Sequence, residues 1–383
     1  MGVLRIERAK LHHWATSPVG VAWRAFDWQL TIYALLLASI GLAMAYSNSD
    51  DGVLQGGSTF LRGLMWAGIA IVVFTAASVF DFKWLKTFAW PIYFTNLGLL
   101  AVTLFIGSGI GGTSRWVSLG GLQFQFSELA KILMIVVLAN YLSQHERKLD
   151  SLGSIIGACL LVAPAAVLVL LQPDLGTTLV FGAILAGMLF MSGASLKWLG
   201  IIAAAAVAAV PLIWANVLRD YQKQRLLSFL DPTADPQGSG YQLLQSQAAV
   251  SSGGLLGKGL ATGSQAQTDL LPVQSTDFVF AILAQELGFV GGLVVFALFV
   301  ALLWRVMASA WRSRDSFGLI LGAGLASMIL FQLVVNVGMV LGIMPITGIP
   351  LPFVTHGGAS LVSLALGLGL LQSINVHQSR AEW

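Results

Sequence analysis

Long apolar runs with almost no charge recur along the whole chain; Leu160–Leu171 and Ile201–Ile213 are examples. A soluble surface needs about a quarter of its residues charged. Here 10% of the 383 residues are charged and 57% are hydrophobic, too little charge to face water on all sides. A bilayer is the solvent that suits such a chain. In lipid every backbone polar group must be satisfied internally, so a spanning segment is a helix or part of a closed barrel. Barrel strands alternate apolar and polar residues over about ten positions. The runs here are longer and unbroken, which selects helices.

Hydropathy predicts an all-α polytopic membrane protein with about ten transmembrane helices. They fall near Leu30–Tyr46, Leu64–Val79, Phe88–Ile106, Ala130–Leu142, Ile155–Leu171, Leu175–Met191, Trp198–Trp214, Phe278–Leu303, Leu319–Leu341 and Leu351–Ile374. With the N-terminus inside, 13 of the 20 Lys and Arg lie on inner segments and six on outer ones, Lys131 being within a span. That asymmetry places both termini in the cytoplasm. Residues 1–28 read as a basic cytoplasmic arm, lying partly on the membrane through Trp14, Trp23 and Trp28, and lack the pattern of a cleavable signal. Residues 29–376 form one membrane domain and 377–383 a cytoplasmic tail. Between spans seven and eight, residues 215–276 make a large outer loop with the turn chemistry of Asp231-Pro232, Asp235-Pro236 and Gly238-Ser239-Gly240.

Several function classes drop out. The pI near 9.1 comes without a basic stripe interleaved with aromatics, so nucleic acid is not a partner. Cys159 is the only cysteine, and the five histidines lack metal-ligand spacing, so no metal site is expected. Gly107, Gly109 and Gly112 match the dinucleotide fingerprint but lack its strand–helix context.

Polar residues at membrane depth are costly and mark candidate sites. Glu128 and Lys131 are three apart on one helix face and can pair. Gln172-Pro173-Asp174 joins two spans, and Asp174 can cap the next helix. In the large loop Arg225, Gln245, Ser246 and Lys258 stand among glycines, a setting for an anionic ligand such as a diphosphate. Arg115 adds positive charge on the same face. Asp277 opens an apolar helix, either as its cap or as a carboxylate poised to act as a general base. Glu286, nine residues on, would lie about 13 Å deeper at 1.5 Å per residue and would need a partner. Pro345, Pro350 and Pro352 forbid a continuous helix, and non-helical backbone at that depth must face protein or a wet groove.

Four of these segments together resemble the SEDS family of shape, elongation, division and sporulation proteins. They are Phe124-Gln125-Phe126-Ser127-Glu128-Leu129-Ala130-Lys131, Gln172-Pro173-Asp174-Leu175-Gly176-Thr177, Thr276-Asp277-Phe278-Val279-Phe280-Ala281 and Pro350-Leu351-Pro352-Phe353. The resemblance runs from about Phe26 to the last span. Gly263-Ser264-Gln265-Ala266-Gln267 before Leu271-Pro272, and Asp231-Pro232 through Gly240-Tyr241, resemble its RodA branch more than its FtsW branch. The chain departs from the family pattern at Phe126, Val273, Ser275, Thr355-His356 and Gln285.

What the resemblance implies is a peptidoglycan glycosyltransferase that polymerises lipid II on the outer face of the bacterial cytoplasmic membrane, in cell-wall elongation and rod-shape maintenance. It implies Asp277 as the catalytic residue, with Glu128 and Lys131 lining the same cavity. It also implies a class B penicillin-binding protein as membrane partner, within a larger elongation complex. Transfer from a lipid diphosphate needs a base and positive charge for the leaving group. Arg225, Lys258, Arg115 and Lys131 are the candidates for the charge. No cofactor is called for; a divalent cation is compatible with the chemistry, although no ligand cluster marks a site. A lipid II transporter is the alternative reading. Repeat symmetry would favour it, and none is visible.

Overall fold

The computed structural model describes residues 25–47, 58–107, 115–119, 122–149, 151–235, 238–260, 277–355 and 357–380. The arm up to residue 24, the glycines at 109 and 112, Gly263–Gln267, Ser275, Thr276 and His356 lie outside the described residues.

Among the described residues, nine helices are long and apolar enough to cross a membrane, and a tenth apolar helix of 17 residues joins them. In chain order they are α1 (Trp28–Ser47), α2 (Thr59–Val79), α4 (Ala89–Ile106), α5 (Phe126–Gln144), α6 (Leu152–Leu171), α7 (Leu175–Met191), α8 (Leu196–Asn216), α11 (Val279–Trp311), α12 (Ser316–Val340) and α13 (Gly358–Arg380). A short helix α3 (Lys83–Thr87) connects α2 to α4. The expected ten spans are therefore present, and the chain is a multi-pass membrane protein. An even number of passes brings the two ends of the bundle's chain to one side.

Connections differ between the two ends of the bundle. At the end where α1 begins and α13 ends they are short, and ion pairs tie them. Arg305 Nη2 bonds Asp27 Oδ2 at 2.6 Å, and Lys86 pairs with Asp315. At the other end, here called the loop end, most are longer, the three-residue α6–α7 turn excepted. A hairpin of β1 (Val117–Leu119) and β2 (Leu122–Phe124) follows α4, with Val117 opposite Phe124. After α8 come two helices that hydropathy does not reveal, α9 (Asp220–Leu230) and α10 (Ser239–Gly253). Their junction is set by Asp235, whose carboxylate accepts from the Ser239 amide at 2.8 Å and hydroxyl at 3.1 Å.

The centre of the bundle is α5, α12 and α13, each with most of its apolar length buried. Glycines let these helices approach closely. A Cβ on Gly367 would stand 2.6 Å from Leu325 Cδ2, and one on Gly324 2.8 Å from Ile135 Cγ2. By contrast α8 buries none of its residues and runs along the periphery.

The expected boundaries change most at the last and the eighth spans. The last span begins at Gly358 instead of Leu351, because prolines at 350 and 352 cannot donate to a helix ladder. The eighth continues to Trp311 and is interrupted at Gly288, where φ is +67°. Around that break, residues 253–259 run along residues 284–290. Lys258 N donates to Gln285 O at 3.0 Å and Phe289 N to Gly254 O at 2.9 Å. Glu286 accepts a hydrogen bond from Ser47, the last residue of α1. Glu286 thus finds its partner at the loop end of α1.

Candidate active site

The site is built on breaks in helices at the loop end. Residues 341–357 carry Pro345, Pro350 and Pro352 and leave α12 and α13 separate. The segment is buried through Ile346, Ile349, Leu351 and Val354, so its backbone meets protein instead of lipid. Its polar groups find partners. Leu351 N donates to Thr355 Oγ1 at 2.8 Å and Thr355 N returns a bond to Leu351 O at 3.0 Å. A shallow recess lies beside it, bounded by Ala38, Gly41, Trp66, Phe353 and Thr355.

Gly348 occupies the turn of this segment with φ +74°. The position its Cβ would take is 3.4 Å from Asp277 Oδ2 and 3.6 Å from Arg225 Nη1. One point in space is therefore flanked by a carboxylate at the start of α11 and a guanidinium from α9. The N-cap of α11 is Phe278, which leaves Asp277 outside the helix.

Arg225 is held from behind. Its guanidinium carbon lies 5.8 Å from the centre of the Tyr221 ring, one helical turn earlier on α9. The Tyr221 hydroxyl donates to Pro173 O at 2.6 Å and accepts from Arg115 Nη2 at 3.3 Å. Arg115 Nε donates to Gln172 O at 3.2 Å, and Nη2 also reaches Pro173 O. Arg115 thus binds carbonyls at the C-terminal end of α6, where a cation is favoured.

The α6–α7 hairpin closes the ring. Asp174 caps α7 through Thr177 N at 3.1 Å, as expected, and its other oxygen accepts from Gln125 Nε2 at 3.2 Å. At Gly176, a Cβ would be 2.7 Å from Thr347 O, so the hairpin abuts the Gly348 turn. One turn past Gln125, Lys131 Nζ pairs with Glu128 Oε1 at 2.8 Å.

Asp277, Arg225 and Arg115 are therefore brought into one cluster, Arg115 by way of Tyr221. Glu128 and Lys131 form the expected pair, but at 4% and 2% exposure neither reaches solvent. Lys258 is exposed and stands against the Gln285 turn, apart from Gly348. Gln245 is half-buried on α10. Ser246 does not offer its hydroxyl to a ligand, contrary to expectation. It is fully buried and bonds Leu243 O at 2.8 Å and Val340 O at 3.0 Å, which locks α10 to the end of α12. Among the described residues no three His, Cys, Asp or Glu side chains converge on a metal position.

A family model for cell cycle proteins, spanning the FtsW, RodA and SpoVE types, matches residues 27–380. The chain belongs to this FtsW/RodA/SpoVE family. Peptidoglycan glycosyltransferase MrdB of Escherichia coli K12 is 35% identical over 349 residues, covering 91% of this chain and 92% of that protein. The solved structure of the Thermus thermophilus rod shape determining protein RodA shares 29% identity and a TM-score of 0.70, over 94% of this chain and 99% of that one. A chain from a peptidoglycan synthase complex that coordinates polymerization and crosslinking shares 32% identity and a TM-score of 0.78, again over 94% and 99%. Nearly the whole length is matched in each, so the family fold includes the elements that carry the site.

Two residues of the site escape a reading of this family member's sequence. Tyr221 sits in a polar stretch where its ring has no evident packing partner. Asn336 is, with Gln332, one of two buried carboxamides in the apolar run of α12, and a polar side chain in a membrane helix is the signal that could have marked it.

Proposed function

We propose that this chain polymerises lipid II into glycan strands, acting as a peptidoglycan glycosyltransferase in cell-wall elongation. The observation that carries the reading is the carboxylate of Asp277 and the guanidinium of Arg225 flanking one point at Gly348. An acceptor hydroxyl held beside Gly348, within reach of both groups, attacks the anomeric carbon of the donor sugar. The bond from that carbon to the diphosphate oxygen breaks, with inversion. The proton passes to Asp277 Oδ2. The polyprenyl diphosphate leaves with its charge, and Arg225 stabilises that charge as it develops. Arg115 acts through Tyr221 and sets where Arg225 sits. Lys258 offers a second cation at the loop end, and a divalent cation can accompany the diphosphate.

The excess of Lys and Arg on the opposite end supports a loop end that faces the exterior of the cytoplasmic membrane. The relative solved within a peptidoglycan synthase complex supports a crosslinking partner here too, of the class B penicillin-binding type.

The test is polymerisation of purified lipid II by this protein with its partner, comparing wild type with Asp277→Asn. Glycan strands from the wild type and none from a folded, partner-bound variant support the reading. Equal product from both removes Asp277 from the chemistry. Absence of product from either, together with lipid II crossing between leaflets, replaces polymerisation with transport.

A further inference from the structure

Asn336 lies in the last turns of α12, fully buried, with no charge beside it in the helix. Its Nδ2 donates to Asp277 O at 3.0 Å and to Ile349 O at 2.8 Å. Both acceptors are carbonyls, which cannot donate, so the amide nitrogen must face them and the orientation of the side chain is fixed. The two residues it joins are 72 positions apart in the chain. One carries the carboxylate proposed as base; the other follows Gly348. Asn336 Oδ1 meets no donor among the described residues, so the two carbonyls alone hold the amide.

We propose that Asn336 is a positioning residue. Its carboxamide clamps the backbone of Asp277 to the Gly348 turn and so sets how the carboxylate faces Arg225. This rests on the reading of Asp277 as base. Without the clamp, the start of α11 and the proline-rich turn are two separate non-helical segments, free to shift against each other. A displacement of about 1 Å at a reacting group costs on the order of 100-fold in rate. Substrate binding draws on other groups, so the loss falls on kcat.

The experiment compares Asn336→Ala, Asn336→Asp and Asp277→Asn as full-length protein with its partner, reading kcat and KM for lipid II across pH and thermal unfolding in detergent. Asn336→Ala is expected to lose about 100-fold in kcat with KM within twofold. For Asn336→Asp the expected signature is activity that returns as pH falls, because only the protonated acid donates to a carbonyl. The wild type lacks that rise and only loses activity as pH falls, since its base must be ionised; the variant loses activity again where Asp277 protonates. Wild-type kcat in Asn336→Ala, with Asp277→Asn inactive, overturns the clamp and leaves the base reading intact. An active Asp277→Asn overturns the base reading itself. If Asn336→Ala does not fold, Asn336→Asp decides: a pH profile parallel to the wild type refutes positioning.

Discussion

Glu128 and Lys131 offer the sharpest energetic test of the bundle. Their side chains are 4% and 2% exposed and meet at 2.8 Å. Removing one partner leaves an uncompensated charge inside the protein, which costs about 3–5 kcal/mol. Removing both charges with side chains of like volume is close to neutral by the same comparison. Glu128→Gln and Lys131→Met should each lose about 3–5 kcal/mol of unfolding free energy, measured by titration with a denaturing detergent. The double variant should recover most of it, a coupling visible as strong non-additivity. Activity then separates two roles. A pair closed off from solvent braces α5 from within, so the folded double variant should keep its KM for lipid II. A hydrogen bond from a charged group to substrate is worth about 1.5–3 kcal/mol, or on the order of 10–100-fold in KM. A KM rise of that size in a folded double variant would put the pair in the binding cavity. Single variants within about 1 kcal/mol of wild type would refute the buried-pair argument altogether.

Gly348→Ala places a methyl at ordinary contact distance from Asp277 and Arg225, and its φ of +74° costs an L-residue about 1–2 kcal/mol; kcat should fall by more than that loss of stability explains, as paired unfolding and rate measurements would show. Gly288→Ala is harsher, since its Cβ would lie 2.3 Å from Gly257 N; limited proteolysis should cut residues 253–259 in the variant and spare them in the wild type. Arg115→Lys cannot serve Gln172 O, Pro173 O and the Tyr221 hydroxyl at once, and should lower kcat about tenfold through Arg225, read in the polymerisation assay. At Asp235, desolvation pushes the carboxyl up. Hydrogen bonds from the Ser239 side chain and from the Ser239, Gly238 and Gly240 amides outweigh it and hold the group below its ordinary 3.8. The stability it lends the α9–α10 junction is complete above that ordinary value and lost as pH falls through the lower folded one; protease sensitivity there should rise only at strongly acid pH.

The spans were legible because each is an apolar run long enough to cross a bilayer, and hydropathy needs no knowledge of partners. Where the chain leaves a straight helix, the same signal misleads. Leu351 and Phe353 count as hydrophobic although the prolines around them exclude a helix. Gly288 stands in an apolar stretch that hydropathy treats as uniform. Helices α9 and α10 are polar enough to pass for a loop. Within the site, the charged residues announced themselves, since charge near a membrane is rare. Their supports did not. Tyr221 and Pro173 are 48 residues apart, and Asn336 and Asp277 are 59 apart. No local spacing encodes such contacts.

Those supports explain how a site made of broken helices can be rigid. A reacting group must be held to about 0.5 Å, and sites on loops are less precise than sites on helices. Here three segments at the site are non-helical: residues 172–174, Asp277 itself and the turn around Gly348. Each exposes carbonyls that a continuous helix would have bonded, and an unbonded carbonyl inside a membrane protein costs free energy. Three side chains from outside those segments, Arg115, Tyr221 and Asn336, donate to these carbonyls. The requirement to satisfy freed backbone groups therefore also fixes the base and its facing cation. It follows that the residues most able to misplace Asp277 and Arg225 include uncharged donors that touch no substrate. Substitutions at Tyr221 and Asn336 should accordingly lower kcat while leaving every charge of the site in place.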